Sequence, residues 1–313
     1  MLFVTEDYYE KYAYLEDEPI RRTPRRAAPA FSLEDLTDSP ETASGLQTTY
    51  KPSRFEAGWL LSSLSSFYEQ DLLCDILSHV KGGKEASVYC CQPGPAAGPD
   101  LLAAKVYRPR QFRNLRNDAM YREGRAVLTG DGKPVKKTDT RTMRAIGKKS
   151  EFGVQVQHTS WLMYEFTAMQ SFYAAGAAVP QPIAAGENAI LMSYQGDAQR
   201  PAPALNEVSL DREEAGVLLQ EALRNIEVML QQGFIHGDLS AYNILYWEGK
   251  ITLIDFPQVT SIEANRNARF ILQRDISRVC DYFARQGAPC DPQAVMDRLW
   301  SRYGKEEALS TEP

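Results

Sequence analysis

The chain has 313 residues, 43% of them hydrophobic and 24% charged, with a formal net charge of −6. That is enough chain for one large or two small cores, and too acidic a balance for a protein that coats nucleic acid over its whole surface. The longest apolar runs fall far short of a membrane span, and Glu6-Asp7-Tyr8-Tyr9-Glu10 is no signal peptide, so a cytoplasmic protein with no membrane partner is expected.

Residues 1–53 are rich in Glu, Asp, Pro, Ser and Thr, carry the cluster Arg21-Arg22-Thr23-Pro24-Arg25-Arg26, and show no sustained apolar period. A flexible tail is expected there. From Phe55, the spacing of Trp59, Leu60, Leu64, Phe67, Tyr68 and Leu72 predicts an amphipathic helix packed on the domain that follows. Next, Gly82-Gly83 lies between two strand-like segments, Lys84-Glu85-Ala86-Ser87-Val88 beginning the second. Such a turn brings backbone N–H groups close to phosphate oxygens. Glu85 stands where a Walker A loop requires Ser or Thr, so that motif is excluded, and an ordinary hairpin turn fits the same residues.

Leu101-Leu102-Ala103-Ala104-Lys105-Val106-Tyr107 places one lysine inside an apolar strand, where its ammonium needs an anion. The candidate partner is Glu165, the one acid between Glu151 and Glu187. It lies in a segment, about residues 160–175, where Trp161, Tyr164, Met169 and Phe172 recur at roughly helical spacing. The plainer alternative is a solvated surface carboxylate. Between these elements, Arg108 to Lys149 holds thirteen Lys or Arg against four acids. Such a stretch is either a solvated loop or a contact for RNA, the ribosome or an acidic partner, and Asp131-Gly132 marks a hairpin within it.

Ala189-Ile190-Leu191-Met192-Ser193-Tyr194-Gln195-Gly196 is an apolar strand entering a short polar link. Then comes the most informative stretch: His236-Gly237-Asp238-Leu239-Ser240, Asn243 five residues beyond Asp238, and the strand Ile251-Thr252-Leu253-Ile254 ending on Asp255. One carboxylate to orient an attacking hydroxyl, with an amide and a second carboxylate to hold Mg²⁺, is what transfer of a γ-phosphoryl group requires. A hairpin whose Asp and Asn merely cap turns is the alternative. It leaves polar groups beside greasy strands without the metal and triphosphate that would satisfy them.

Together with Pro201-Ala202-Pro203, Tyr242 and the stretch from Asn267 to Phe283 containing Arg274-Asp275, these motifs resemble the RIO kinases, atypical protein-kinase-like enzymes, over about residues 76–282. The resemblance implies an α+β, bilobal protein-kinase-like fold with a small β-rich N-lobe and a reduced α-helical C-lobe. It implies residues 54–192 as N-lobe with its leading helix and the basic insertion 108–158, residues 193–303 as hinge and C-lobe, and 304–313 as a second tail. By the same likeness, Asp238 is the catalytic carboxylate, and Lys105 and Glu165 align phosphates. ATP meets Gly82, Gly83, Lys84, Ala86, Ser87, Val88 and Lys105, and its adenine meets Met192, Ser193, Tyr194 and Gln195. Asn243 and Asp255 hold Mg²⁺, or Mn²⁺ in its place. Phe256-Pro257-Gln258 departs from the family's usual sequence after the metal aspartate, and the basic insertion is longer than usual. No winged-helix pattern is evident before Phe55, which points away from the subfamily carrying one.

Two other functions share these motifs. Aminoglycoside- and choline-type phosphotransferases also use a His-Gly-Asp-Leu loop. Against them, Ser240 and Tyr242 stand where they carry His and Gly, and only 58 residues follow Asp255 to build a substrate pocket. A nucleotide-switched ribosome- or RNA-associated factor with slow turnover is the third. The five cysteines, Cys74, Cys90, Cys91, Cys280 and Cys290, lack metal-type spacing and are expected as free buried thiols, with no zinc; His79 and His158 are expected to be structural.

Overall fold

A computed structural model describes residues 48–83, 85–108, 119–136, 138–148 and 150–304, without the side chains of Phe55 and Arg122. The expected tails thus lie almost wholly outside the described residues, as do Lys84, 109–118, Lys137 and Lys149.

Helix α1 (Arg54–Glu69) starts where Glu56 reaches back to accept the Ser53 amide at 3.3 Å, one half of a capping box. It packs Leu60, Leu64 and Phe67 onto a five-stranded antiparallel sheet of order β1-β2-β3-β5-β4. The strands are β1 (Leu73–Gly82), β2 (Ala86–Pro93), β3 (Leu102–Tyr107), β4 (Pro182–Ala185) and β5 (Ala189–Ser193). Strand β3 is central, and its period-2 alternation divides its side chains between two cores. Leu102, Ala104 and Val106 join α1 in one, whereas Tyr107 joins the larger core on the other face.

The basic insertion contributes α2 (Ala119–Arg122) and α3 (Thr140–Gly147) before the long helix α4 (Glu151–Ala174). A hairpin does form at Asp131-Gly132, closed by a bridge from Leu128 to Pro134, with Gly132 at φ +75°. Helix α4 begins nine residues before the apolar period does, because Ser150 caps it, accepting from Gly153 N at 3.2 Å. Leu162, Phe166, Met169 and Phe172 of α4 share the larger core with α5 (Arg212–Gln231), α6 (Ala268–Arg285) and α7 (Pro292–Tyr303). Each such fully buried side chain stabilises the fold by about 1.5–3 kcal/mol. Between α5 and α6 run β6 (Phe234–Ile235), paired with β9 (Thr260–Ser261), and the hairpin of β7 (Ile244–Trp247) with β8 (Lys250–Leu253). The β7–β8 turn is Glu248-Gly249, both at positive φ, as a two-residue hairpin turn demands.

The thiol expectation fails for two cysteines. Cys280, five residues before the end of α6, and Cys290, before α7, are disulfide-bonded, because the turn after α6 brings their Cα atoms to 5.1 Å. Cys74, Cys90 and Cys91 are free, and of these Cys74 is only half-buried. His79 stacks on Tyr50 and meets Tyr89 edge-on, and His158 bonds Asn188 Oδ1 at 3.0 Å, so both serve packing and local bonding.

Candidate active site

Antiparallel pairing fixes where Lys105 can reach. Lys105 lies opposite Val88 on β2 and Ile190 on β5, and its side chain leaves the sheet toward α4. There its Nζ meets Glu165 Oε1 at 2.5 Å and Asp255 Oδ1 at 2.6 Å. The lysine and glutamate side chains are 12% and 4% exposed, so both charges are largely taken out of water. Tyr107, two residues on and therefore on the same face of β3, donates its hydroxyl to the other glutamate oxygen. Glu165 is thus held at both oxygens, and its position is set rather than averaged over rotamers. Burial opposes the Lys105 charge, but Asp255 and Glu165 outweigh it and hold the ammonium well above its ordinary pKa. Burial likewise opposes ionisation of Asp255, and Lys105 outweighs it and lowers the carboxyl.

Asp255 adopts φ +72°, unusual for any residue but Gly or Asn, so neighbouring structure must hold it there. Its side chain is 43% exposed. The positive charge of Lys81, at the end of β1 beside the glycine turn, also reaches Asp255. That turn is a hairpin, Gly82 opposite Ser87, closed by Gly83 N donating to Ala86 O at 2.8 Å. Gly82, Gly83, Ala86, Ser87 and Val88 therefore lie at the end of the sheet where β2 runs alongside Lys105.

The loop from His236 to Asn243 is built by backbone contacts. Gly237 takes φ +87°, and a Cβ there would meet Gln258 O at 2.2 Å, so only glycine lets the two loops touch. Asp275 on α6, buried, accepts from Gly237 N at 2.8 Å and Leu239 N at 3.2 Å, and Arg274 donates to Gly237 O. Asp238 between those amides turns its carboxylate outward, 40% exposed, where Arg278 Nη1 donates to Oδ1 at 2.8 Å. Asn243 Nδ2 donates to Asp238 O at 2.9 Å, which leaves the amide oxygen as the atom available to a metal. His236 Nε2 donates to Ile254 O at 3.2 Å while its Nδ1 accepts from Asp238 N at 3.3 Å, and burial lowers its pKa, keeping the ring neutral.

Met192, Ser193, Tyr194 and Gln195 lie where β5 passes from the sheet to the helical part. Ser193 N and Tyr194 N are already spent on Gln181 O and Leu101 O, and Gln195 O accepts from Ala202 N. Among the described residues, the amide of Gln195 has no such partner.

Asn243 and Asp255 fit Mg²⁺: both offer hard oxygen donors, and no group of three or more His, Cys, Asp or Glu among the described residues could hold a metal by itself. Mg²⁺ commonly takes one or two protein ligands and completes its shell with water and phosphate.

Four residues around the site went unassigned in the sequence. Tyr107 was within reach of the period-2 rule from Lys105. Asp275 stood out as the one acid on the apolar face of α6, and Arg278 lies one turn further along the same helix. Arg125, which donates to Pro257 O and Val259 O, had no sequence signal at all.

Asp275 carries a stability consequence. Burial pushes its carboxyl up to about 7, against Arg274 and the two amides that pull it down. Between an ordinary carboxyl pKa of about 4 and that value, the folded chain holds the proton more often than the unfolded chain, so stability is greatest at the acid end and falls as pH rises. Asp275→Ala should abolish this slope in denaturant titrations run from pH 5 to 8. It should also lower unfolding free energy by about 1–3 kcal/mol for each amide left buried without an acceptor. An unchanged midpoint at pH 5 would refute this role for the carboxylate.

A β-rich lobe with a lysine paired to a helix glutamate, joined to a helical lobe presenting an Asp loop and a second Asp, defines the protein-kinase-like fold. The RIO domain family matches residues 120–295, more than half the chain. The chain is 28% identical over 228 residues to the RIO-type serine/threonine-protein kinase Rio1 of Haloferax volcanii, covering 72% of this chain and 69% of the relative. It is 30% identical over 139 residues to the RIO-type serine/threonine-protein kinase Rio1 of Thermoplasma acidophilum, covering 44% of this chain and 72% of that one. To the serine/threonine-protein kinase rio1 of Schizosaccharomyces pombe it is 33% identical over 155 residues, 48% of this chain and 31% of the relative. The chain belongs to the RIO family. Lys105 and the glycine turn precede the matched residues, so their link to the site rests on the geometry described above.

Proposed function

We propose that this chain is a RIO-type serine/threonine kinase that moves the γ-phosphoryl group of ATP to a protein hydroxyl. The observation that carries the proposal is Lys105 held between Glu165 and Asp255, residues from three separate elements brought within 2.6 Å. Lys105, fixed by Glu165 and through it by Tyr107, binds the α- and β-phosphates. The backbone at Gly82 and Gly83, with Lys84, Ala86, Ser87 and Val88 beside it, covers them. The adenine lies against Met192, Ser193 and Tyr194, and the Gln195 amide is the donor left for it. Asn243 and Asp255 hold Mg²⁺ or Mn²⁺, which neutralises charge on the phosphates when bound. Asp238 orients the attacking hydroxyl and takes its proton as the oxygen–phosphorus bond forms and ADP departs.

In this proposal residues 54–192 act as the nucleotide lobe and 193–303 as the hinge and Asp-loop lobe, in a cytoplasmic enzyme. No helix among the described residues is long and apolar enough to cross a membrane. Purified chain incubated with γ-labelled ATP, Mg²⁺ and a generic Ser/Thr-rich protein tests the proposal. Label transferred to protein supports it, and label found only in small molecules favours the aminoglycoside- or choline-type alternative.

The basic insertion is proposed as an RNA or ribosome contact, supported by the exposure of Lys133, Lys136, Arg141 and Arg144. Replacing these four and Lys137 with Gln or Ser should abolish RNA association while basal ATP turnover stays near the parent value. In the parent, log Kd should rise with log salt, by roughly 0.9 per phosphate neutralised. RNA binding absent from the parent at low salt would sink this contact and leave the kinase proposal untouched.

A further inference from the structure

Residues Tyr121 to Arg125, part of the insertion between β3 and α4, are pressed against the loop that follows Asp255. Arg125 Nη2 donates to both Pro257 O and Val259 O at 2.8 Å, and its guanidinium lies 4.5 Å above the ring of Tyr164, the residue before Glu165. Gly124 takes φ +78°, and a Cβ there would meet Ala264 Cβ at 2.5 Å and Ala264 O at 2.7 Å, so the two backbones approach as only a glycine permits. On either side, Asn265 Nδ2 donates to Met120 O at 2.7 Å and Arg266 pairs with Glu123 at 2.5 Å. The buried Tyr121 accepts from Arg274 Nη1 at 2.6 Å, and Arg274 in turn holds Gly237 O, next to Asp238.

One short segment therefore touches the helix of Glu165, the loop after Asp255 and, through Arg274, the Asp238 loop. We propose that it is a cis-acting strap, and that Arg125 is a positioning residue that holds the Asp255 loop in the shape able to take Mg²⁺. Asp255 needs such a support because its left-handed backbone is costly for a residue with a Cβ. Two charge-assisted bonds onto the carbonyls two and four residues later fix that turn from outside. The pairing spans 132 and 134 residues, so it acts only in the folded chain. The inference deepens the phosphotransfer proposal and rests on it for the identity of the metal site.

The test uses the full chain with a non-hydrolysable ATP analogue and Mn²⁺ as the probe, read by electron paramagnetic resonance, beside kinase assays at saturating ATP. Arg125→Met keeps the length of the side chain and loses the donors. It should weaken Mn²⁺ binding by about tenfold or more, the loss expected when bonds worth about 1.4 kcal/mol together are removed. It should lower kcat in parallel. Arg125→Lys, which keeps a cationic donor on a shorter side chain, should recover part of the affinity. Gly124→Ala, which lifts the strap without touching Arg125, should behave like Arg125→Met, and it carries the test if Arg125→Met fails to fold. Wild-type Mn²⁺ affinity in folded Arg125→Met or in Gly124→Ala would overturn the strap. A parent chain that binds Mn²⁺ and nucleotide normally but transfers no phosphate would overturn the phosphotransfer proposal instead, with the strap judged by the metal titration alone.

Discussion

Asp238→Ala should lose phosphotransfer by about 10²–10⁴-fold, the range for a positioned acid–base group, while binding ATP with its parent affinity. The carboxylate is half in solvent and its close side-chain partners are Arg278 at 2.8 Å and Asn243 at 3.4 Å, so its removal leaves no buried charge stranded and the fold should keep its melting temperature. Asp255→Ala should differ in kind. It takes away an anionic metal ligand and one of the two carboxylates on Lys105, so metal-dependent nucleotide binding should weaken along with turnover. Titration of each variant with Mg²⁺ and a fluorescent ATP analogue, beside label transfer, separates the two. Parent-level turnover in Asp238→Ala would refute its assigned role.

Lys105→Met and Glu165→Gln should each remove most of the activity, and the double variant little more, because the two side chains serve one geometry. Both are nearly buried, so each single change also strands a partner: Lys105→Met leaves Glu165 and Asp255 facing each other without the ammonium at 2.5 and 2.6 Å. Breaking such a pair costs about 3–5 kcal/mol, and a clear drop in melting temperature is expected for each single variant, with partial recovery in the double. Tyr107→Phe offers a milder check. It frees one oxygen of Glu165 and should reduce turnover while keeping the ion pair. Additive losses across the Lys105 and Glu165 cycle would mean that the contact contributes nothing to catalysis as a unit.

Much of this molecule is legible in its sequence because its chemistry is carried by short, local patterns. The order of Asp238, Asn243 and Asp255 is set by a loop and a strand close together in the chain, and turn chemistry and apolar runs reveal both. The α1 helix is equally plain, since Leu60, Leu64 and Phe67 repeat on one face and bury there. The sequence nominates Glu165, the one acid between Glu151 and Glu187, as a partner for Lys105, with a solvated carboxylate as the alternative until the resemblance is weighed.

Tertiary structure decided the rest, because sequence periodicity reports which face an element buries and not what lies across from it. That Lys105 also grips Asp255, 150 residues away, follows from how β3 and the loop after β8 are brought together around α4. Asp275 becomes the anchor of the Gly237 and Leu239 amides only once α6 packs beneath that loop. Cys280 meets Cys290 because the chain reverses after α6. Arg125, one of thirteen basic residues in a stretch whose composition suggests only solvent or RNA, is set apart from the others by the two carbonyls it reaches, and no local pattern encodes a contact across more than a hundred residues.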